Sequence, residues 1–325
     1  MDKPKEKVKL DQVLKFLFST SNKVLIKLLN GVFDENFDEN EVSLTVTNNE
    51  FIGEDFNVIR GDMFFELSNN DSKKQVNYHL EFQVKNDTSM VIRMFEYGFN
   101  KSKETAKKYS GYDEIKTLYF PKQKVIFFEE NKNIEECLKL KIVFPNNQEY
   151  IYSVDVIKYW NFTDEELIKR KMYPLIPLQL FSLRKELEKA RNKNNIERIK
   201  ELSYIAKDLA TKLATESKEL LDKNEILSED FHKMLLAIQN LIEYLNRNYI
   251  NDKRIEKEVN TMTETLYNPE VEKRGIEKGI EIGMEKGVEK VIIELLKEAF
   301  TPEKIAKLIK VDLEKVLEVR NRYIN

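Results

Sequence analysis

The chain has 325 residues, of which 41% are hydrophobic and 34% charged, a balance typical of a folded, water-soluble protein. It lacks an apolar run of about 18 residues that could span a bilayer, and its first residues lack the apolar core of a signal peptide. We therefore expect a cytoplasmic protein without membrane contact. A single cysteine excludes an intrachain disulfide, and with only two histidines a zinc cluster has no support. The formal net charge of -3 does not indicate a general nucleic-acid binder, although a local positive groove remains compatible with it.

Composition shifts divide the chain into three predicted regions, 1–160, 161–270 and 271–325. The first mixes helical periodicity with strand-like runs, which predicts a mixed sheet flanked by helices. The second is almost wholly helical, and Thr163 to Glu166 have the pattern of a capping box. The predicted strands of the first region are Val42 to Val46, Phe56 to Leu67, Val76 to Val84, Lys124 to Glu129, Leu138 to Phe144 and Tyr150 to Tyr159. The predicted helices are Asp11 to Phe18, Asn22 to Leu29, Met90 to Lys108, Leu180 to Lys223 and Ser228 to Tyr249.

The first helix begins near Asp11, for which two roles are open. A short acidic residue before an apolar-periodic segment is good helix N-cap chemistry. A third metal-linked acid is the alternative, and we favour the cap.

A hairpin centred near Asp71 places one carboxylate on each of its two strands. If the turn falls symmetrically between Asp71 and Ser72, Asp62 lies directly opposite Glu81. Side chains in that relation have Cβ atoms roughly 4.5 to 5.5 Å apart, so the two acids repel unless a cation lies between them. Alternation puts His79, Glu81 and Gln83 on one face and the apolar residues Tyr78, Leu80, Phe82 and Val84 on the other.

These residues fit the ligand preferences of Mg²⁺, which takes oxygen donors and keeps several waters. We expect Asp62, Glu81 and the backbone carbonyl of Phe82 to hold it. Gln83, two residues beyond Glu81, would orient a metal-bound water. The alternative is that these are ordinary polar residues on the exposed face of a half-buried hairpin.

The same residues resemble the PD-(D/E)XK nucleases. Gly61-Asp62 followed by Glu81-Phe82-Gln83 is similar to the Glu-x-Gln form found in the recombination-promoting nuclease (Rpn) and transposase-like group. Asp11 to Phe18 resembles the Asp-x-x-Phe-Lys-x-x-Phe opening of that group, and Arg93 to Tyr97 its Arg-x-x-x-Tyr helix. Trp160 onward resembles its helical continuation.

The resemblance implies a restriction-endonuclease-like core and Mg²⁺-dependent cleavage of DNA by Asp62, Glu81 and Gln83. Many relatives in the wider superfamily carry lysine at the position of Gln83. Glutamine cannot act as a cationic acid or as a base, which leaves activity an open question.

The helix predicted after the hairpin offers candidate DNA contacts. Arg93, Tyr97 and Lys101 recur at a spacing of four and so share one face. Arginine can bind phosphate through two parallel hydrogen bonds, and tyrosine can contact phosphate or stack on a sugar. We expect this face to bind DNA and the face of Val91, Met94, Phe95 and Phe99 to pack. Lys103, Lys107 and Lys108 extend the positive stretch, or form a solvated basic helix end.

Near the C-terminus four glycines recur at a spacing of four: Gly275, Gly279, Gly283 and Gly287. Each costs about 1 kcal/mol in a helix interior relative to alanine, so the pattern is hard to maintain unless another backbone approaches closely. A self-associating helix, giving a dimer, and a flexible charged connector explain the pattern equally well.

The last residues predict two short helices. Thr301 and Pro302 suit the start of one, and Asp312 can cap the next. The pair resembles the helix-turn-helix-like tails of the nuclease group, with Lys310 where a turn glycine is expected. The chain has no Walker A loop, dinucleotide fingerprint or nucleophile elbow, so a nucleotide cofactor has no support.

Two hypotheses follow. The first is a Mg²⁺-dependent DNA endonuclease, active in recombination, mobile-element movement or phage defence and acting as a dimer. The second is a DNA-binding or self-associating scaffold whose nuclease site is catalytically silent.

Overall fold

The computed structural model describes residues 10–47, 50–52, 58–60, 63–69, 75–84, 87–108, 117–267 and 269–323. The chain divides into two compact units, Met1–Leu266 and Tyr267–Asn325. The first holds a six-stranded mixed sheet with helices packed against it, and the second is helical among its described residues. The α/β class predicted for the chain is therefore confirmed. Among the described residues, no helix is both long and apolar enough to cross a membrane.

The strands are β1 Val42–Thr47, β2 Glu50–Ile52, β3 Val58–Arg60, β4 Met63–Asn69, β5 Gln75–Gln83, β6 Lys122–Phe127, β7 Cys137–Val143 and β8 Glu149–Lys158. The six-stranded sheet has the strand order β1-β4-β5-β6-β8-β7, and β2 pairs with β3 in a separate two-stranded sheet. Strand β5 pairs with β4 antiparallel and with β6 parallel. Parallel neighbours need a long crossover, and helix α3, Met90–Lys108, provides it.

Two helices precede the sheet, α1 Leu10–Leu17 and α2 Asn22–Phe33. Because α1 begins at Leu10, Asp11 lies inside its first turn. The prediction that Asp11 is the N-cap is therefore wrong. Ser21 does cap α2, since its side chain accepts a hydrogen bond from the backbone N–H of Val24.

The β4–β5 hairpin has the predicted register. Met63 pairs with Leu80 and Phe64 with His79, which is the pairing that a turn between Asp71 and Ser72 produces. Asp62 and the turn itself lie outside the described residues. The position of Asp62 opposite Glu81 thus stays a prediction, although the neighbouring pairs agree with it.

Both faces of β5 are buried from Asn77 to Phe82, which differs from the half-exposed hairpin of the alternative interpretation. On one face Tyr78 packs on Phe33 and Phe82 on Phe18, each pair with ring centroids 4.9 Å apart. On the other face Glu81 is 1% exposed. The interpretation of Glu81 as an ordinary polar residue on an exposed face is wrong, because α3 covers this side of the sheet.

The helices after the sheet belong to the same compact unit. Helix α4, Asp164–Lys169, starts with the predicted capping box, in which Thr163 and Glu166 exchange hydrogen bonds of 2.9 and 3.2 Å. The predicted helix from Leu180 to Lys223 is interrupted near Asn194, whose φ is 50°. The elements are α4 Asp164–Lys169, a 3₁₀ segment Tyr173–Leu183, α5 Arg184–Asn192, α6 Ile196–Asp222, α7 Ser228–Leu245, a π-helical turn Asn246–Ile250 and α8 Lys253–Leu266.

These helices bind the N-terminal helices directly. Asp230 of α7 accepts hydrogen bonds of 2.6 Å from both the backbone N–H and the hydroxyl of Ser21. Lys27 of α2 donates to the carbonyl oxygen of Glu225 at 3.0 Å. The sheet and the helical region therefore share one folded unit up to Leu266.

The second unit contains α9 Pro269–Lys297, α10 Pro302–Ile309 and α11 Leu313–Tyr323. Ile292, Ile305, Val316 and Val319 form its small core. Thr301 caps α10 as predicted. Lys310 adopts the left-handed conformation, with φ 55°, that a glycine takes most easily after a helix.

Candidate active site

Glu81 is a buried acid in the middle of the sheet, with a partner for each carboxylate oxygen. Its Oε1 accepts a hydrogen bond from Nη2 of Arg93 at 2.8 Å and another from Nε2 of Gln83 at 3.3 Å. Its Oε2 lies 3.5 Å from Nε2 of His79. A buried carboxylate is stable only when paired or hydrogen-bonded, and these three side chains meet that requirement.

Arg93 reaches Glu81 from the first turn of α3, and its guanidinium donates hydrogen bonds to three side chains. Besides Glu81, its Nη1 donates to Asp87 at 3.1 Å and its Nε donates to the hydroxyl of Tyr97 at 3.1 Å. Its side chain is 35% exposed, as is that of Asp87. The guanidinium therefore joins the buried acid to the surface, where an anion can reach it.

The charges of this group reinforce one another. Hydrogen bonds from Ser89, followed by the bond and charge of Arg93, lower the pKa of the Asp87 carboxyl. Burial opposes the charge on Arg93, but the bond to Tyr97 and the charge of Glu81 outweigh it and raise its pKa. Asp87 remains an anion and Arg93 a cation across the physiological range.

Gln83 lies two residues beyond Glu81 on the same face, as predicted. Its amide nitrogen donates to Glu81, so its amide oxygen can accept a hydrogen bond from a water molecule. Its backbone carbonyl accepts from the N–H of Phe128 at 2.9 Å, which fixes the end of the strand. This geometry is compatible with water orientation.

The other two predicted DNA contacts point into the protein. Tyr97 is 3% and Lys101 4% exposed, and both lie on the packed side of α3. Lys101 donates to the hydroxyl of Thr47 at 3.0 Å. Phe99, expected to pack, is instead 39% exposed. The shared face of Arg93, Tyr97 and Lys101 is therefore real, but it faces the sheet, and Arg93 alone of the three is partly exposed.

No role was predicted for His79 or Gln123, which adjoin the candidate site. Nδ1 of His79 lies 3.0 Å from Nε2 of Gln123 in the next strand, and Gln123 also bonds to the carbonyl of Met94. The position of His79 on the same strand face as Glu81 could have been used to predict that it adjoins the site. Its contact with Gln123 of β6 could not be predicted, because the parallel register depends on how α3 crosses the sheet.

Of the predicted metal ligands, the described residues include one carboxylate, that of Glu81, which supplies the kind of oxygen that Mg²⁺ prefers. The guanidinium of Arg93 already lies 2.8 Å from that carboxylate, so a bound metal would have to share it with Arg93. Phe82, whose carbonyl is the predicted backbone ligand, is opposite Ile126 in the β5–β6 pair. Asp62, the third predicted ligand, lies outside the described residues.

A second acidic cluster lies between α4 and α6. Ligand oxygens of Asp164, Glu165 and Glu216 are within 4.8 Å of one another. The ammonium of Lys212 forms ion pairs with all three of these residues. This cluster thus already contains a cation and has no evident need of a metal.

Comparisons of the chain with protein-family models, with curated proteins and with solved structures return no match.

Proposed function

We propose that the chain is a Mg²⁺-dependent DNA endonuclease that hydrolyses phosphodiester bonds. The observation that carries the proposal is the buried carboxylate of Glu81, grouped with Gln83 and the partly exposed Arg93. The order of helix, antiparallel strands, crossover helix and parallel strand agrees with the restriction-endonuclease-like core that the resemblance to PD-(D/E)XK nucleases implies.

In this proposal Asp62, Glu81 and the carbonyl of Phe82 hold the metal. Bound Mg²⁺ would lower the pKa of a water molecule and stabilise charge on the scissile phosphate. The amide oxygen of Gln83 accepts a hydrogen bond from the attacking water, while its nitrogen keeps hold of Glu81. The protein thus positions the nucleophile without a lysine.

Arg93 binds the DNA backbone. The partly exposed end of its guanidinium already donates a hydrogen bond to the carboxylate of Asp87. A phosphate oxygen can take the place of that carboxylate. Tyr97 orients the guanidinium through its hydroxyl. Lys101 has internal partners, so its predicted DNA contact requires the side chain to leave Thr47.

The alternative is a catalytically silent DNA-binding or self-associating scaffold. It is favoured by the near-complete burial of Glu81 and by the charge balance that Arg93 already provides. On this alternative the ion pair is structural and Arg93 still contacts DNA. The nuclease hypothesis has DNA and a second copy of the chain as partners, and the scaffold hypothesis has DNA or a second copy; we propose a cytoplasmic location for both.

Supercoiled plasmid separates the two. The nuclease predicts nicked circles that accumulate with Mg²⁺ and stop when EDTA is added. A gel-shift assay with Ca²⁺, which supports binding without requiring cleavage, measures DNA affinity in parallel. Binding without nicking at any Mg²⁺ or Mn²⁺ concentration would establish the scaffold and refute the nuclease.

A further inference from the structure

A line of buried and partly buried polar side chains runs under α3 to Glu81. Tyr152 of β8 donates to Oε1 of Gln123 at 2.5 Å, and Nε2 of Gln123 lies 3.0 Å from Nδ1 of His79. Nε2 of His79 lies 3.5 Å from Glu81. His79 is fully buried, so these neighbours decide its chemistry.

The hydrogen-bond directions along this line are fixed by the backbone. The carbonyl of Met94 can only accept, so the Gln123 atom 2.8 Å from it is the amide nitrogen. That nitrogen has a second proton, which points to Nδ1 of His79. Nδ1 is therefore an acceptor, and the ring proton resides on Nε2, facing Glu81.

Packing holds the ring in this orientation. His79 stacks on Phe64 with centroids 4.0 Å apart and planes 1° from parallel, and Tyr97 meets it edge-on at 5.4 Å. Gly98 lets α3 approach, since a Cβ there would lie 2.7 Å from Oε1 of Gln123. Rotation of the imidazole ring would therefore disturb its contacts with β4, α3 and β6.

We propose that His79 is a positioning residue for Glu81. Its Nε2–H faces Oε2 at 3.5 Å, an electrostatic contact longer than an ordinary hydrogen bond, while Oε1 accepts from Arg93 and Gln83. Partners of this kind, which orient a ligating carboxylate, commonly change metal affinity 10- to 100-fold when removed. The metal-binding consequence rests on the proposed function, whereas the contact itself does not.

The contact is tested first in the metal-free protein by ¹⁵N NMR of the histidine rings. The chain has only two histidines, and a His232→Gln variant assigns their signals. We expect His79 to show a protonated Nε2 and an unprotonated Nδ1. A proton on Nδ1, or a mixture of the two tautomers, would overturn the proposal whether or not the protein cleaves DNA.

Mn²⁺ titration of two variants then tests the consequence. Both His79→Gln and His79→Leu lose the ring, but only glutamine keeps an N–H that can reach Glu81. We expect Leu to weaken Mn²⁺ binding about tenfold or more and Gln to stay within about threefold of wild type.

The remaining outcomes of the titration are also decisive. Equal losses in both variants, or wild-type affinity in His79→Leu, would overturn the positioning role. Absence of Mn²⁺ binding in the wild type together with the expected tautomer would refute the proposed nuclease and leave His79 as the residue that positions Glu81 for Arg93.

Discussion

Arg93 bonds both to the buried Glu81 and to Asp87 at the surface. Its availability to other anions therefore depends on Asp87. Asp87 neutralises its exposed end through the bond from Nη1. Any phosphate that binds Arg93 must compete with this carboxylate. The strength of DNA binding should therefore depend on a residue that itself repels DNA.

Asp87→Asn should tighten DNA binding. An exposed ion pair is worth about 0.2 to 1 kcal/mol, so we expect a gain of up to about fivefold at low salt. Asparagine keeps an oxygen to accept the bonds that Asp87 receives from Ser89. The measurement is a binding titration at several salt concentrations.

Asp208→Asn on α6 makes the same charge change as a matched control. An equal gain in DNA affinity in both variants would show that the effect comes from net charge alone. A gain that survives in the Asp87→Asn, Arg93→Ala double variant would likewise remove Arg93 from the explanation.

At the level of single residues, the sequence predicted positions along β5 better than their surroundings. Alternation placed Glu81 and Gln83 on one face, and the structure confirms that they adjoin. The ion pair with Arg93 could not be predicted, because it depends on where α3 lies across the sheet. For the same reason the inward direction of Tyr97 and Lys101 was missed.

Among the elements, α4 and α6 are joined by an acid pair that responds to pH. Burial, followed by the neighbouring Asp164, raises the pKa of Glu216 to about 7. Burial opposes ionisation of Asp164, but bonds from Glu216 and Lys212 outweigh it and lower its pKa. Lys212, whose pKa is raised by Asp164, and Glu165 complete the charged groups around the pair.

We expect this contact to weaken as the pH rises from about 5 to about 7.5. Glu216 keeps its proton in the folded protein but ionises near pH 4.3 when unfolded. Its contribution is therefore present at low pH and lost through the folded pKa of about 7. Asp164 acts in the opposite direction, but only below about pH 4.

Melting temperatures of wild type and Glu216→Gln across this range measure the effect. The wild-type value relative to the variant should fall by about 2 °C as the pH rises, because glutamine does not titrate. A difference that stays constant or widens with pH would contradict the raised pKa.

Some helix boundaries can be predicted from local sequence alone. The capping box at Thr163 and the limits of Met90–Lys108 agree with the sequence pattern, since both depend on neighbouring residues. The break near Asn194 was missed because apolar spacing continues across it. There Asn194 takes a positive φ and the Asn195 side chain caps α6, which ends one helix and starts another.

At the scale of the whole molecule, α9 presents a surface suited to a second chain. Ile280 and Met284 are 58% and 71% exposed, and nothing lies within 4 Å of the Cβ positions of Gly283 or Gly287. The glycines therefore have no packing reason within the described residues of the monomer. Close approach of the same helix from another copy would offset their cost.

Gly283→Leu combined with Gly287→Leu should weaken self-association about tenfold or more while α9 stays helical. Leucine raises helix propensity, and the open space accommodates it in the monomer. Sedimentation over a concentration series measures the change, with Lys286→Leu as a control for added apolar surface. Unchanged association in the double variant would mark α9 as a connector.

The most direct test of the nuclease is the Mg²⁺-dependent nicking rate of Glu81→Gln against wild type. Glutamine keeps the size of the side chain and an oxygen for Arg93, but removes the charge that a metal needs. Glu96→Gln, an exposed change on α3, is the matched control. We predict that wild type and Glu96→Gln nick supercoiled plasmid and that Glu81→Gln, folded by its melting curve, does not. Nicking by Glu81→Gln at the wild-type rate under limiting Mg²⁺ would contradict the assignment of Glu81 as the metal-binding carboxylate of the active site.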